Sequence, residues 1–370
     1  MDQLNENPST CCAGSVSTPK TPRPAAPWVE GTVDTPIGPV PKVATDLRLA
    51  DRIGSAKARW AIGRMHYTVH PGLYAIGEPT DESPVLVSAN YKMSFDHLRS
   101  QLGGLNAWIM VLDTRGINVW CAAGKGTFGT DEIVSRIAAV RLAEVVSHRT
   151  LILPQLGAPG VSAHEVRRRS GFRVVYGPVR AKDLPAFLAA GMKASPEMRR
   201  VRFDFLDRVV LIPVELTMAA KYAVLIAAVF VVLAGFGPAG YSLALASSVG
   251  SRAAVLLLGT CLAAVTLTPA LLPWLPGRAF SLKGAWIGLA IVFIAGGYAV
   301  YHPALFENRL AEAAWFLMIP AVASFLAMNF TGSSTYTSLS GVRREMRVAV
   351  PIQLICAVVG VVLWLAGRFF

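Results

Sequence analysis

The sequence predicts a Rossmann-like α/β domain followed by an all-α transmembrane domain of five helices. Three observations carry this reading. Residues from about 84 to 191 alternate short apolar runs with amphipathic ones, the rhythm of βαβ units in a mainly parallel sheet. From Leu216 onward five apolar segments follow, each near the ~20 residues a helix needs to cross ~30 Å of hydrocarbon. The whole chain of 370 residues is 53% hydrophobic and only 16% charged. Its mean hydropathy is +0.47. That balance excludes an ordinary soluble enzyme and excludes global disorder.

Residues 1–45 are rich in Pro, Thr, Ser and Gly. PKTPRPAAP has no apolar period with which to bury a core, so this segment is expected to be a disordered tail. No apolar run follows Met1, which argues against a cleaved secretory signal. Cys11 is not preceded by one either, which argues against a lipoprotein anchor. Residues 46–192 are assigned to the α/β domain. PVLVSA (84–89) is a buried strand and KMSFDHLRSQL (92–102) a helix. AWIMVLD (107–113) is a second strand. TDEIVSRIAAVRLAEVVS (130–147) is an amphipathic helix with Thr130 as N-cap and Asp131 and Glu132 in its first turn. TLILP (150–154), SAHEVRRRSG (162–171) and FRVVYG (172–177) give strand, helix and strand. AKDLPAFLAAG (181–191) closes the domain.

A basic linker, 193–215, carries Lys193, Arg199, Arg200, Arg202 and Arg208 into the apolar region, 216–370. The five spans fall at about 216–236, 253–275, 284–301, 311–328 and 348–367. Pro269, Pro273 and Pro276 crowd the end of the second. Arg278 and Lys283 lie between spans two and three, and Arg343, Arg344 and Arg347 between spans four and five. The opposite loops offer mainly Arg252 and Arg309. The positive-inside rule then puts the α/β domain in the cytoplasm, at the inner membrane, and the C-terminus outside. Thirty-five basic against twenty-three acidic residues give a net charge of +12. In so apolar a chain, cytoplasmic loops and anionic lipid account for that charge without nucleic acid.

Most chemistry-bearing motifs are absent or broken. The five cysteines lack the paired spacing of a disulfide framework, and no C-x-x-C exists for an iron–sulfur cluster or structural zinc. Cys11 and Cys12 lie in the tail; Cys261 and Cys356 lie in apolar runs. His66, His70, His97, His148, His164 and His302 lack metal-ligand spacing. GKGTFG (124–129) matches G-x-G-x-x-G, but ten residues separate Asp113 from Gly124 where the dinucleotide fingerprint needs the first Gly at the strand's end. The unusual segment is GINVWCAAGK (116–125), just after a buried strand, where α/β folds place ligands. Asn118 can cap a short helix there. A helix N-terminus favours the thiolate of Cys121. Ala122, Ala123 and Gly124 are small enough for a flat group to approach. Lys125, four residues on, shares the face of Cys121 or is simply solvated. A lone cysteine on a helix is otherwise a small hydrophobe. NFTGSSTYTS (329–338) is a polar loop that either receives a partner or simply joins two spans.

NVWCAAGK (118–125), preceded by ANYKMSFD (89–96) and followed by five spans, resembles the corrinoid protein of the microbial mercury-methylation pair. The eight-residue motif matches that family at every position. The soluble part also resembles the corrinoid domain of the corrinoid iron–sulfur protein, which lacks the cysteine and the membrane region. The resemblance covers about residues 80–370. It implies a cobalamin-type corrinoid held base-off, with Cys121 as lower axial ligand to cobalt, and no iron–sulfur cluster on this chain. It implies cofactor contacts from Ser88, Asn90, Asn118, Val119, Trp120, Ala122, Ala123, Gly124 and Lys125. Gln155, Leu156, Gly157, Ala158, Gly160 and Val161 would form a loop admitting the nucleotide tail. Ser88 stands where relatives often carry Thr. The implied activity is methyl transfer to Hg(II). The implied partners are a small ferredoxin-like protein with two [4Fe-4S] clusters as electron donor, and a methyl-donor protein or methyl-folate. Two other functions compete: a corrinoid methyl carrier of one-carbon metabolism with a different acceptor, and a transporter with a nucleotide-binding domain. The broken fingerprint disfavours the transporter.

Overall fold

The computed structural model describes residues 26–330 and 339–370. Most of the expected tail, with Cys11 and Cys12, and most of the 329–338 loop lie outside the described residues. An N-terminal domain with a mixed, seven-stranded sheet is followed by a helical region.

The chain opens with strands β1 (Val29–Thr35) and β2 (Gly38–Val43), helix α1 (Leu49–Arg59) and β3 (Gly72–Ile76). Then come β4 (Val85–Ala89), α2 (Lys92–Arg99), β5 (Ala107–Leu112), α3 (Val119–Lys125), α4 (Thr130–Ala139) and α5 (Leu142–Val145). β6 (Thr150–Leu153), α6 (Ala163–Ser170), β7 (Arg173–Tyr176) and α7 (Leu184–Ala189) complete the domain. The sheet order is β1-β2-β3-β5-β4-β6-β7. β5, β4, β6 and β7 run parallel, as expected. β1 pairs antiparallel with β2, and β3 antiparallel with β5.

The hairpin corrects the expected tail, since residues 29–43 are sheet rather than tail. Their alternation was masked by Pro39, Pro41 and the glycines; β2 lies between β1 and β3 but meets β3 only at Lys42, beyond its prolines, so they interrupt no long ladder on that side. The hairpin is held because Trp28 packs edge-on against Phe95 at 5.2 Å and the Arg99 guanidinium donates to the Ala44 carbonyl.

β4 and β5 are buried along their full length, which is why they read as continuous apolar runs. Period-two alternation splits them between two cores. Val85, Val87 and Ala89 face the core under α3, α4 and α6. Leu86 faces the core under α2 and α7, and Ser88 follows it on that side. The expected helix 130–147 breaks in two, because Arg141 adopts a left-handed conformation (φ +46°) and pairs forward with Glu144. Thr130 is not the cap of α4. That position falls to Gly129, and the Thr130 hydroxyl accepts from the Ser162 N–H at 2.9 Å.

Two short helices, α8 (Pro196–Arg199) and α9 (Phe205–Val209), lead to α10 (Ile212–Ala234). A two-residue hairpin, β8 (Phe236–Gly237) with β9 (Gly240–Tyr241), turns into α11 (Leu243–Leu271). α12 (Phe280–Tyr301), α13 (Arg309–Met328) and α14 (Leu339–Ala366) follow. All five expected apolar segments are helices long and apolar enough to cross a membrane. The second carries Pro269 in its last turn, and cations take up the carbonyls left open where the helix ends. Arg208 Nε donates to Pro269 O at 2.7 Å and Lys283 Nζ to Leu272 O at 2.7 Å. Gly284 and Gly288 of α12 let α13 approach. A Cβ on either would fall 2.4 Å from backbone atoms of Ala323 or Pro320.

Candidate functional site

The connection after β4 runs over one face of the sheet and the connection after β6 over the other. The crevice beyond their carboxyl ends is therefore the switch point of the parallel strands. A cleft of about 640 Å³ opens there. Ser88 and Leu86 of β4, Pro154 after β6 and the 177–184 segment line it, and α2 contributes Ser94 and His97, with Gln101 from the turn after it.

α3 stands at the rim. Its position is fixed from the end of β4 by Asn90. The Asn90 amide donates to Asp113 Oδ1 at 3.1 Å, and its carbonyl accepts from the N–H of Thr114 (3.1 Å) and of Gly116 (2.9 Å). Gly116 has φ +71°, and a side chain there would also meet Thr68 at 2.8 Å. This clamp sets up Asn118, whose side-chain oxygen accepts from the Cys121 N–H at 2.9 Å. Asn118 is the N-cap the sequence predicts. Asn118, Val119 and Trp120 line the cleft. Cys121, next in line, is a free, half-buried thiol on the first turn.

The expected site residues divide sharply. Ser88, Asn118, Val119, Trp120 and Leu156 reach the cleft. Asn90 is buried and spends its amide on the 113–116 loop. Ala122 and Ala123 point into the core beneath the helix rather than toward the cleft. It is Gly160 that lets the 155–160 turn lie close on α3, because a Cβ there would fall 2.9 Å from the Ala123 Cα. Gly157 is small for a similar reason: a Cβ there would fall 2.5 Å from the Phe128 ring. Val161 is a core residue, and its carbonyl accepts from the Tyr176 hydroxyl at 2.8 Å. Gln155 and Ala158 are half-buried on the 155–160 turn. Gly124 and Lys125 are exposed at the end of α3, which persists through Lys125 and so keeps it on the Cys121 face.

Three polar groups of the cleft escaped sequence reasoning. Ser94 and His97 stand three residues apart on one face of α2, and Gln101 follows in the turn after it, but nothing in the sequence said which face meets a ligand. Surrounding protein desolvates the His97 imidazole, and Arg59 repels its charged form, so its pKa lies below the ordinary histidine value. Arg180 and Lys182 line the opposite wall. Arg180 also pairs with Asp207 (2.8 Å) and Asp204 (3.2 Å) of the segment leading to the first long helix.

ANYKMSFD proves to be mostly structural. Lys92 Nζ binds Asp51 (2.7 Å) and Asp96 (2.6 Å), and Arg99 binds the same two carboxylates at 2.8 and 2.7 Å. All four side chains are buried. Burial alone would raise the Asp51 pKa, but the Lys92 ammonium, the Arg48 N–H and the Arg99 guanidinium overcome it and hold the carboxyl below its usual value. The network ties α1 to α2 behind the cleft. Among the described residues no group of three His, Cys, Asp or Glu side chains forms a metal site.

Residues 60–188 match the family model described as CO dehydrogenase/acetyl-CoA synthase delta subunit. The chain is 30% identical over 122 residues to the acetyl-CoA decarbonylase/synthase complex subunit gamma of Archaeoglobus fulgidus, covering 32% of this chain and 26% of that protein. It is 31% identical over 122 residues to the subunit gamma of Methanopyrus kandleri, with the same coverage. It is 29% identical over 127 residues to that of Methanocaldococcus jannaschii, covering 34% of this chain and 26% of the relative. The chain thus spans about a quarter of the length of the relatives it matches. The family match ends at residue 188, before the five long helices.

Proposed function

We propose that this chain is a membrane-anchored, corrinoid-dependent methyltransferase that transfers methyl to Hg(II), in which the Cys121 thiolate would hold the cobalt of the corrinoid. The observation that carries the reading is the position of Cys121. It is a half-buried thiol on an asparagine-capped first turn, one residue beyond the cleft-lining Asn118–Trp120 segment. The α/β fold is Rossmann-like in its four parallel strands, and the cleft at their switch point has room for part of a large cofactor. Similarity to acetyl-CoA decarbonylase/synthase subunits supports one-carbon chemistry for the domain.

When bound, a cobalamin-type corrinoid would supply methyl-transfer chemistry suited to a soft electrophile such as Hg(II). The chain's own residues do the rest. Asn118 fixes the first turn, so the sulfur is presented from a rigid element, and the N-terminal dipole of α3 favours its thiolate form. Trp120 offers a half-exposed apolar surface beside the sulfur. Ser88 supplies a hydroxyl from the floor of the cleft, and Leu156 with Pro154 shapes the wall for a nucleotide tail. Ala122 and Ala123 act indirectly, by packing α3 onto the core of the domain.

The domains are then a corrinoid-binding unit enlarged to include the hairpin at 29–43, the linker 193–215, and five spans from 216. The α/β domain is cytoplasmic and the C-terminus external. A ferredoxin-like protein with two [4Fe-4S] clusters supplies low-potential electrons, and a methyl-donor protein or methyl-folate supplies the methyl group.

A second reading is favoured by the relatives themselves, which belong to a complex named for acetyl-CoA. In it the chain carries methyl groups to an acceptor of one-carbon metabolism. Anoxic assay of the full chain with its electron donor separates the two. Methylmercury formed from Hg(II) supports the first reading. Turnover only with a one-carbon acceptor overturns it.

A further inference from the structure

An apolar groove of about 850 Å³ runs between α10 and α14, floored by α11 and α13. Ala219, Ala223 and Ala357 keep it open. Its far end is shut by aromatic rings: Phe230 lies 5.7 Å from Trp315 and 4.8 Å from Trp364. From Glu215 to Phe230 the α10 wall spans roughly 22 Å, longer than one leaflet of a ~30 Å hydrocarbon core. Apart from the Tyr222 hydroxyl and the Cys261 thiol, its polar lining is confined to the end nearest the α/β domain. Glu215 in the first turn of α10, Asn329 after α13 and Gln353 of α14 stand there.

Gln353 is the informative residue. It is 7% exposed. Its Nε2 donates to Ser324 Oγ at 2.6 Å and contacts Met328 Sδ at 3.3 Å. Its Oε1 has no partner among the described residues. An orphaned carbonyl in an apolar surrounding is costly, so this end of the groove suits a hydrogen-bond donor. The carboxylate of Glu215 makes a cationic donor the better match. Arg343 and Arg347, exposed on α14, precede Val350 and Leu354 at three- and four-residue spacing. They therefore lie on the groove's face just outside its mouth, where an anionic group would be held.

We infer that the groove seats one chain of a zwitterionic aminophospholipid, phosphatidylethanolamine. Its ammonium lies at Glu215 and Gln353 and its phosphate toward Arg347. Phosphatidylcholine has the same charge but no N–H to donate, so the site discriminates against it. The inference rests on the membrane reading of the five helices and not on the corrinoid.

The test uses the full chain in nanodiscs of phosphatidylethanolamine or phosphatidylcholine with identical acyl chains, with lipids retained through detergent exchange counted by native mass spectrometry. Phosphatidylethanolamine should be retained several-fold over phosphatidylcholine. Glu215→Gln should erase that preference. Ala357→Phe should fill the groove and abolish retention while the helical melting curve is unchanged. Equal retention of the two lipids, retention undiminished in a folded Ala357→Phe, or a stoichiometric hydroquinone in place of phospholipid would each overturn the proposal. A chain that stays in the aqueous fraction without detergent would remove the membrane reading as well, whereas failure of lipid selection alone leaves it standing.

Discussion

Cys121 and Ala122 are neighbours with opposite surroundings, one at the rim of the cleft and the other in the core. The difference follows from α3's register, which Asn118 sets. Asn118→Ala should therefore cost about 1 kcal/mol, seen as faster hydrogen exchange at the amides of Cys121 and Ala122. Unchanged protection would show that the cap is dispensable. The buried network makes a larger prediction. Arg99→Met leaves Asp51 and Asp96 with one cation between them and should cost about 3–5 kcal/mol, read from denaturant midpoints. The network also predicts an acid limit. The Asp51 carboxyl titrates below its unfolded value in the folded domain, so its stabilisation is complete above about pH 4 and is lost as pH falls through the lower folded value. Melting temperature should hold from pH 7 to 5 and fall steeply below about pH 4. A flat profile to pH 3 would contradict the linkage. None of this was visible in the sequence, where Lys92, Asp96 and Arg99 look like a solvated helix face and Asp51 lies 41 residues from Lys92.

At the scale of elements, the parallel strands were legible because burial on both faces leaves continuous apolar runs such as AWIMVL. The helix at the site was legible from Asn118 and its position after β5. What escaped were elements whose pattern is broken. GPVPKV pairs in an edge hairpin although its prolines argue against a strand. TDEIVSRIAAVRLAEV keeps a helical period across the left-handed Arg141. The hairpin matters for stability, since Trp28 and Ala44 hold α2 through Phe95 and Arg99. Deleting residues 1–43 should consequently lower the melting temperature of the α/β domain by several degrees or unfold it, contrary to what a dispensable tail would give. An unaltered melt would return 29–43 to the status of a tail. The site was legible only as far as its rim. The polar face of α2 and the cationic wall at Arg180 and Lys182 come together through sheet order, which no local pattern encodes.

At the scale of the whole molecule, α9 joins the two parts: Asp207 pairs with the cleft residue Arg180, while Arg208 caps the carbonyls of α11 at Pro269. On the proposed membrane reading, an odd number of crossings would put the two ends of the helical region on opposite sides. A reporter fused after Phe370 should behave as external, and a cytoplasmic signal would require an even number of spans. The central claim, that the intact chain binds a corrinoid through the Cys121 sulfur, is tested most directly by the optical spectrum of the corrinoid-loaded full-length protein. Cys121→Ala should shift that spectrum while the domain stays folded, because the thiolate donor is lost and a smaller side chain makes no clash. Cys261→Ala and Cys356→Ala, both in the long apolar helices, should leave it unchanged. A Cys121→Ala protein whose cobalt spectrum matches that of the unsubstituted chain would contradict the account.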